Sequence, residues 1–340
     1  MFGIIKDIRV SGVSAAVPPY VEDNMERYAD ILGERRCKKQ IRLTGIERRH
    51  LSAHDQRSSD LAAEAARYFM EREGWKPEEI RVLIYVTQKP DFHSPSTAFR
   101  IQKLLGISHE CTAFDVNLGC SAAQVGIQIA AAVLAQLEEG AKGLVLCGYA
   151  VNIDEEGKKP EDQMLFGSAG GAVGLIHESE AEEIPYLIKS DGSRYQAIFR
   201  DTENHFSMDG EAVFSFSIGD VVNDVQAFKE HFGISEESVD YYAFHQPQKL
   251  ILDTMMNSLN VPPEKALTSL REYGNTSGAS ALVTLCANTQ ALQAMGGTAS
   301  ILTCGFGGGL SWCALKLAID VAHIYPIIST NHVFDDNEII

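Results

Sequence analysis

The stretch from Thr112 to Leu137, TAFDVNLGCSAAQVGIQIAAAVLAQL, constrains the fold more than any other part of the sequence. Residues 112–116 are short and mostly apolar, which is typical of a buried strand. Gly119 permits a tight turn, and residues 121–137 have the Ala-, Ile- and Leu-rich composition of a helix. The stretch therefore predicts a strand, a turn and a helix, with Cys120 at the turn.

Cys120 has two interpretations in this context. At a helix N-terminus, unpaired backbone N–H groups and the positive end of the helix dipole favour the thiolate, which is the nucleophilic form of cysteine. The alternative is a small buried cysteine that fills a crowded turn, as free cysteines often do. The rest of the chain has to decide between a nucleophile and a packing residue.

Composition excludes several classes of protein. The chain has 340 residues, 45% of them hydrophobic, enough for one large or two smaller domains. Its net charge of -17 disfavours nucleic acid or an anionic membrane as a partner. The sequence contains no apolar run of membrane-spanning length and no signal-peptide pattern, which predicts a cytoplasmic protein. The seven cysteines and ten histidines show no metal-ligand spacing, so free thiols and no metal site are expected.

The remaining sequence predicts alternating strands and helices. Arg81–Thr87, RVLIYVT, is nearly all apolar, as expected for a strand inside a parallel sheet covered on both faces. The acidic end, VFDDNEII over residues 333–340, predicts a loose tail. Three further predicted elements are a strand over residues 3–13, a helical region over residues 20–40 capped by Asp23 or Asn24, and a helix that begins at Ser59 or Asp60 and ends near Gly74.

A weak internal repeat relates the two halves of the chain. Cys120 opens a helix that leads to a strand ending at Cys147, and Asn275 opens a helix that leads to a strand ending at Cys304. Two such units packed back to back would place Cys120 and Asn275 near one pseudo-twofold axis. The alternative is coincidence, because any chain of alternating strands and helices yields some matches of this kind.

Six motifs occur in a specific order: TGIERR from Thr44, LGCSA around Cys120, MDGEAVF from Met208, FHQPQ around His245, YGNTSGAS around Asn275, and GFGGGLSW over residues 305–312. Together they resemble the thiolase superfamily, and most closely β-ketoacyl-acyl-carrier-protein synthase III, to about residue 318. The resemblance implies an α/β protein with a thiolase-like five-layered α/β/α/β/α fold, usually a homodimer. Its two pseudo-symmetric halves would be residues 1–183 with the nucleophile and residues 184–320 with the histidine and asparagine, followed by a tail over residues 321–340.

The resemblance also implies two-step chemistry without a bound cofactor. An acyl group from coenzyme A or a phosphopantetheinyl carrier protein is transferred to Cys120, and the backbone N–H groups of Cys120 and Gly308 bind the oxyanion. A malonyl thioester then loses carbon dioxide, and His245 and Asn275 donate hydrogen bonds to the enolate oxygen. The predicted function is a condensing enzyme of fatty-acid or related lipid or polyketide biosynthesis.

Each of these residues also has an ordinary structural interpretation. His245 alone would be a structural histidine, Asn275 a turn residue or helix cap, and the glycines of residues 305–309 a tight turn. Two other functions stay open. One is an acyltransferase that moves an acyl group from Cys120 to an alcohol, amine or thiol, with His245 as general base. The other is a non-catalytic partner subunit, against which the complete set of three residues argues.

The sequence departs from the usual family pattern at several positions. Lys39 and Leu43 stand where an aromatic residue and an arginine help to hold coenzyme A, and Gln248 replaces an asparagine. Lys158 and Lys159 are the cations in a loop that usually carries an arginine. These departures favour a specialised enzyme that takes its acyl group, or its extender, from a carrier protein.

A carrier protein is acidic, so an acidic chain needs a local basic face to bind it. By analogy with the family, the predicted docking residues are Arg35, Arg36, Lys38, Lys39 and Lys249. The alternative is a solvated run of charges on a helix. Ser94 is small where the family often has a bulky residue in the acyl pocket, which predicts that acyl chains longer than acetyl are accepted.

Overall fold

The structure, a computed structural model, describes residues 1–153, 159–201 and 206–335. The strands in these ranges are β1 (Phe2–Ile5), β2 (Ile8–Val17), β3 (Val21–Asp23), β4 (Arg48–His50), β5 (Ile80–Val86), β6 (Thr112–Val116), β7 (Lys142–Tyr149), β8 (Ala169–His177), β9 (Ile184–Ser190), β10 (Ile198–Arg200), β11 (Phe206–Met208), β12 (Tyr241–Phe244), β13 (Thr298–Gly307), β14 (Ser311–Asp320) and β15 (Ile328–Ser329). The α-helices are α1 (Asn24–Leu32), α2 (Glu34–Thr44), α3 (Ser58–Glu73), α4 (Thr97–Leu104), α5 (Ala122–Leu134), α6 (Pro160–Gln163), α7 (Gly210–Phe216), α8 (Val222–His231), α9 (Lys249–Ser258), α10 (Leu270–Tyr273), α11 (Ser280–Ala287) and α12 (Thr289–Met295).

Two mixed sheets form the centre of the molecule, with strand orders β15-β2-β8-β7-β5-β6 and β1-β9-β14-β13-β12. In the first sheet, β2, β8 and β7 are antiparallel neighbours, and β7 is parallel to β5. In the second, β9, β14 and β13 are antiparallel neighbours, and β13 is parallel to β12. The two halves therefore share one topology, as the internal repeat predicted.

Helices and sheets stack in five layers. Helices α5 and α11 lie between the two sheets and contact both of them, while α3 and α4 cover the outer face of the first sheet. Helices α8 and α9 share a buried apolar cluster with the outer face of the second sheet. Successive residues of a strand point to opposite faces, so Ile301 of β13 packs in the central layer and Leu302 in the outer one. The order of layers is α/β/α/β/α.

The first strand of the molecule is not the single strand predicted over residues 3–13. Asp7 has a left-handed backbone with φ 57°, which ends β1 and turns the chain before β2. As a result, β1 pairs with β9 in the second sheet, whereas β2 lies in the first. The opposite exchange occurs near the other end, where β15 pairs with β2. The two halves are thus joined by strands at both ends of the chain.

The prediction of a loose tail is wrong for residues 333–335, and the segment that precedes them also packs on the fold. Ile324, Tyr325 and Phe334 are buried, and the Tyr325 hydroxyl donates a hydrogen bond of 2.6 Å to Glu73 on α3. The Arg100 guanidinium donates to the carbonyl of Phe334 at 3.0 Å. The buried apolar side chains of this segment pack it against the first half of the chain. The rest of the predicted tail, residues 336–340, lies outside the described ranges.

The helix ends follow local signals. The Asp23 carboxylate accepts hydrogen bonds from the N–H groups of residues 25 and 26 and caps α1, as predicted. The cap residue of α3 is Arg57 and the helix begins at Ser58, before the predicted Ser59 or Asp60; the Asp60 carboxylate, inside the first turn, accepts from the N–H of Arg57. Gly74 ends the helix in the left-handed conformation, as predicted. Helix α5 begins after Ser121 and is shorter than the predicted helix. In the described ranges, no helix combines the length and apolar composition needed to cross a bilayer.

Candidate active site

Four turns at the ends of the central elements carry the predicted site residues. Cys120 lies between β6 and α5, and Asn275 precedes the 3-10 turn that leads into α11. His245 follows β12 directly, and Gly308 follows the parallel neighbour β13. Because the two central helices are related by the internal repeat, Cys120 and Asn275 occupy equivalent places before their N-termini.

Glycine contacts bring these turns together. A Cβ on Gly278 would lie 2.6 Å from the Cβ of Ala122 and 2.8 Å from the carbonyl oxygen of Gly119, so the turn after Asn275 packs directly on the start of α5. A Cβ on Gly307 would lie 2.8 Å from the Cys120 sulfur. Only a residue without a side chain fits at Gly307. The nucleophile therefore lies against both the asparagine turn and the glycine-rich turn.

Ser277 links the three predicted catalytic residues, and the sequence reasoning missed it. Its N–H donates a hydrogen bond of 2.9 Å to the Asn275 side-chain oxygen, and its hydroxyl faces the Cys120 sulfur. Its carbonyl accepts from the Ser280 hydroxyl at 2.7 Å, and the same hydroxyl oxygen lies 3.1 Å from His245 Nδ1. The signal that could have found Ser277 and Ser280 was their place in the GNTSGAS motif.

The imidazole of His245 is uncharged. It is buried against the ring of Phe306, and burial lowers the pKa of His245 to about 3. The single Ser280 hydroxyl proton is donated to the Ser277 carbonyl, so the Ser280 oxygen accepts the hydrogen bond from Nδ1–H of His245. A neutral imidazole has one nitrogen without a proton, and that nitrogen can accept one.

Asn275 is buried and presents its amide nitrogen. Its Oδ1 is occupied by the N–H of Ser277, which leaves the two Nδ2–H groups as donors. Its backbone N–H donates to the carbonyl of Leu165 at 2.9 Å, and its own carbonyl accepts from the N–H of Gly167 at 3.1 Å. These two backbone bonds hold Asn275 against the segment that precedes β8.

Arg49, from the TGIERR motif, is hydrogen-bonded to the segment that precedes β8. Its buried guanidinium binds Glu22, donates to Asn24 Oδ1 at 2.9 Å and donates to the carbonyl of Phe166 at 2.9 Å. Phe166 forms a bridge with Asn275. Arg49 thus connects the TGIERR motif to the backbone that holds Asn275.

Replacing Arg49 with methionine is expected to lower the free energy of unfolding by about 3–5 kcal/mol, because the change leaves the buried carboxylate of Glu22 without its partner. Chemical denaturation measures this loss. The matched control is Arg48→Met, since Arg48 is an exposed neighbour paired with Glu272 and should change the stability by less than about 1 kcal/mol. Equal losses in the two variants would contradict this account of Arg49.

The expectation that Cys120 is a thiolate in the resting protein is wrong. Burial raises the pKa of the Cys120 thiol to about 11, although the Ser277 hydroxyl and the N–H groups of Cys120 and Gly308 act in the opposite direction. Loss of water around the sulfur disfavours the charged form more than these donors favour it. The donors predicted for the oxyanion do face the sulfur, but the resting residue is a thiol.

Alkylation of Cys120 by iodoacetamide is therefore expected to accelerate about tenfold per pH unit from pH 7 to pH 10, because the reactive thiolate fraction rises until the pH reaches the pKa. Mass spectrometry of the labelled peptide gives the rate. The partly exposed Cys111 provides an internal comparison in the same samples, and burial raises the pKa of its thiol to about 12. A plateau near neutral pH would show that the thiol pKa is not raised.

Gln88 is a second residue that sequence reasoning missed. A Cβ on Gly119 would collide with its carboxamide, and a Cβ on Gly308 would lie 3.3 Å from its Nε2. Gln88 is itself exposed, so its amide lies where the turn before Cys120 and the glycine-rich turn reach the surface. No motif marks this residue, because its position depends on how β5 and the glycine-rich turn pack together.

The predicted docking residues lie on the surface. Four of them, Arg35, Arg36, Lys38 and Lys39, are exposed on α2, and Lys249 is exposed at the start of α9. Lys38 pairs with Glu34, Arg36 with Glu161, and Lys249 with Asp253. Arg35 and Lys39 have no carboxylate partner within the described part of the chain. Half of the predicted basic face of α2 is therefore free to bind an anion.

The departures from the family pattern lie in four places. Leu43 is exposed on α2 next to the free Lys39, and Gln248 precedes α9 as its N-terminal cap residue. Lys159 precedes α6, while Lys158 lies outside the described residues. Ser94 is exposed before Pro95. In the ranges that the structure describes, no three His, Cys, Asp or Glu side chains are grouped to hold a metal ion.

Known proteins resemble this chain in sequence. Residues 230–319 match the family described as 3-oxoacyl-[acyl-carrier-protein] synthase III C terminal. The β-ketoacyl-[acyl-carrier-protein] synthase III of Streptococcus equi subsp. zooepidemicus is 32% identical over 292 residues, which cover 81% of this chain and 89% of that protein. The enzyme of the same description from Streptococcus pneumoniae is 34% identical with the same coverage.

Solved structures resemble the chain in fold. The 3-oxoacyl-(acyl-carrier protein) synthase of Burkholderia xenovorans LB400 superposes with a TM-score of 0.90 at 24% identity, covering 97% of this chain and 99% of that one. Cerulenin-bound OleA of Xanthomonas campestris gives 0.80 at 22% identity, covering 92% and 98%. These two likenesses show the thiolase-like fold alone. Together with the sequence relatives and the shared topology of the two halves, they lead to one conclusion: the chain belongs to the β-ketoacyl-acyl-carrier-protein synthase III family.

Proposed function

We propose that this protein is a decarboxylating condensing enzyme that carries an acyl group on Cys120 and joins it to a malonyl thioester. The observation that supports this most is the linkage of Cys120, His245 and Asn275, because Ser277 and its hydrogen-bond partner Ser280 contact a nucleophile, an imidazole and an amide donor. The substrates would be thioesters of coenzyme A or of an acyl carrier protein, in fatty-acid or related biosynthesis, with no bound cofactor.

In the first step the Cys120 sulfur attacks the thioester carbonyl after losing its proton. The neutral imidazole of His245 is the base available for that proton. The oxyanion that forms is bound by the N–H groups of Cys120 and Gly308. The departing thiolate takes up the proton, and Cys120 is left as a thioester.

In the second step the malonyl thioester loses carbon dioxide, and its electron pair forms an enolate. An Nδ2–H of Asn275 donates to the enolate oxygen. His245 donates as well once its proton lies on Nε2, which requires the Ser280 hydroxyl to turn from the Ser277 carbonyl to Nδ1. The enolate carbon then attacks the acyl carbonyl, a carbon–carbon bond forms, and the Cys120 thiolate leaves.

An acyltransferase without decarboxylation is the second candidate. The observation that favours it is the neutral imidazole of His245, which suits a general base that activates an alcohol, amine or thiol acceptor. The free Nδ2 donor of Asn275 has no evident use in that reaction. Release of carbon dioxide from a malonyl thioester distinguishes the two functions.

The test of the proposed function follows the two steps on the intact protein. The protein is incubated with acetyl and longer acyl thioesters of coenzyme A and of a carrier protein, and mass spectrometry records the acyl group on Cys120. A malonyl thioester is then added. We expect the acyl group to appear and then to disappear as carbon dioxide and a 3-oxoacyl thioester form. Acyl transfer to another acceptor without carbon dioxide would replace the proposal by the second candidate.

The same experiment tests the acyl pocket. Because Ser94 offers little side-chain volume, loading is expected with chains longer than acetyl. Loading by acetyl alone would refute this expectation without affecting the proposed chemistry.

We propose that Arg35 and Lys39, the cations of α2 that have no carboxylate partner in the described residues, bind the acidic carrier protein. Reversing both charges, Arg35→Glu with Lys39→Glu, is expected to lower kcat/KM for a carrier-linked substrate about tenfold at low salt, because rim charges steer the association of an acidic partner. Steady-state kinetics with carrier-linked and pantetheine-linked thioesters measure the effect. Lys38→Glu is the control, since Lys38 is already paired with Glu34. A similar loss of kcat/KM with the small pantetheine-linked substrate would show that Arg35 and Lys39 do not act by binding the carrier protein.

We also propose a homodimer and a cytoplasmic location. Strand β6 is at the edge of the first sheet, and its Phe114 and Val116 are only partly buried, so a second copy could pair along it. Sedimentation analysis tests the dimer. All seven cysteines are free thiols, which suits a reducing compartment.

A further inference from the structure

Two serine hydroxyls lie next to each other beneath the glycine-rich turn. Ser121 directly follows the nucleophile, and Ser311 is the first residue of β14. Their oxygens are 2.8 Å apart, and the Ser311 hydroxyl donates a hydrogen bond of 3.0 Å to the carbonyl of Gly308. Both side chains are buried, with 0% and 8% exposure, so water does not replace these bonds.

The number of protons fixes the direction of the bonds. A serine hydroxyl has one proton to donate. Because Ser311 donates its proton to Gly308, the proton between the two serines has to come from Ser121. The result is a chain from Ser121 through Ser311 to the Gly308 carbonyl, in which each bond polarises the next.

The turn that these bonds hold is paired at its ends, where Gly307 lies opposite Ser311 in the ladder of β13 and β14. Gly307, Gly308 and Gly309 have no side chains, and Gly309 has φ 140°, where side chains are rarely tolerated. Beyond them, Leu310 is held by a pair of backbone hydrogen bonds with Asp191, at 2.9 and 2.7 Å. The Ser311 hydroxyl is the side-chain contact that holds Gly308 itself.

Gly308 is the residue whose N–H faces the Cys120 sulfur, together with the N–H of Cys120 itself. Ser121 is bonded covalently to Cys120, and Ser311 is hydrogen-bonded to Gly308. The serine chain therefore spans the two sides of the oxyanion site and sets the distance between its two donors.

We propose that Ser121 and Ser311 are positioning residues that hold the Gly308 N–H in place for the oxyanion formed on Cys120. This inference rests on the proposed function, since it concerns the acyl-transfer step of that reaction. It adds two residues that touch neither the acyl group nor the malonyl thioester.

Replacing Ser311 with alanine is expected to slow acylation of Cys120 by a thioester about 10- to 100-fold, because a misplaced donor loses part of the value of an oxyanion-hole hydrogen bond. Ser311→Thr keeps the hydroxyl and should retain most of the rate. Ser121→Ala should show a smaller loss, and the double alanine variant should be no slower than Ser311→Ala, because both act through one chain. Decarboxylation of the malonyl thioester, which uses Asn275, should stay unchanged in all of them.

Two measurements separate positioning from a general structural effect. Alkylation by iodoacetamide forms no oxyanion, so Ser311→Ala should slow it far less than acylation; equal slowing of both reactions would overturn the proposal. Hydrogen exchange of the peptide that contains Gly308 does not depend on activity. Exchange should accelerate in Ser311→Ala and stay unchanged in Ser311→Thr. Unaltered exchange in the alanine variant would overturn the proposal about the two serines. Failure of every thioester to acylate the wild-type protein would refute the proposed function, and the exchange measurement could still be made.

Discussion

Replacing Cys120 with alanine is expected to lower the rate of condensation by at least about 10⁴-fold, because the acyl group then has no covalent carrier. The same variant should still release carbon dioxide from a malonyl thioester, since Asn275 and His245 remain in place. Measurement of 3-oxoacyl product and of carbon dioxide in parallel separates the two half-reactions.

The control for this variant is Cys111→Ala. Cys111 is also partly exposed, but it lies before β6 and away from the glycine-rich turn. It should keep full activity. Unchanged condensation in Cys120→Ala would instead favour the remaining alternative, a partner subunit whose active enzyme is another protein.

Replacing Asn275 with aspartate is expected to lower the rate of malonyl decarboxylation by about 10²–10³-fold or more, the loss typical of one oxyanion donor. Aspartate keeps an oxygen that accepts the Ser277 N–H, so the turn should keep its shape. It removes the Nδ2–H donor and adds a negative charge beside the enolate. Loading of an acyl group on Cys120 should change much less.

Asn275→Ala completes this test, because it removes the donor without adding charge. The two variants should share the loss of decarboxylation, and the aspartate variant should be the slower one. Thermal unfolding of each variant shows whether the turn has kept its structure. Equal slowing of acylation and decarboxylation would mean that Asn275 supports the whole pocket and does not act on the enolate alone.

Local patterns in the sequence were sufficient for much of the fold. Strand Thr112–Val116 is found where its apolar run predicted it, but it is an edge strand and only partly buried, so the prediction of a buried strand is wrong. Asp23 caps α1 through its carboxylate oxygen. The internal repeat predicted the shared topology of the two sheets. These features depend on neighbours in the chain, which a sequence displays directly.

Other features of the fold depend on partners far away along the chain. The exchange of β1 and β15 between the sheets and the burial of Phe334 follow from which surface each segment meets. The role of Arg49 is of the same kind, since Phe166, one of its partners, is more than a hundred positions away. Hydrophobic periodicity predicts which residues are buried, but it does not identify the segments that they contact.

By itself, the sequence determined which side chains could act: one cysteine at a turn, a histidine after a strand and an asparagine in a repeated position, recognised through motifs of a known family. Only the tertiary structure decided their chemical state. Loss of water makes the sulfur a thiol and the imidazole neutral, and the partners supplied by Ser277 and Ser280 decide which nitrogen carries the proton. Charge and proton position depend on solvation and on hydrogen bonds from distant segments. The sequence alone does not show which groups are desolvated or which distant segments supply these hydrogen bonds.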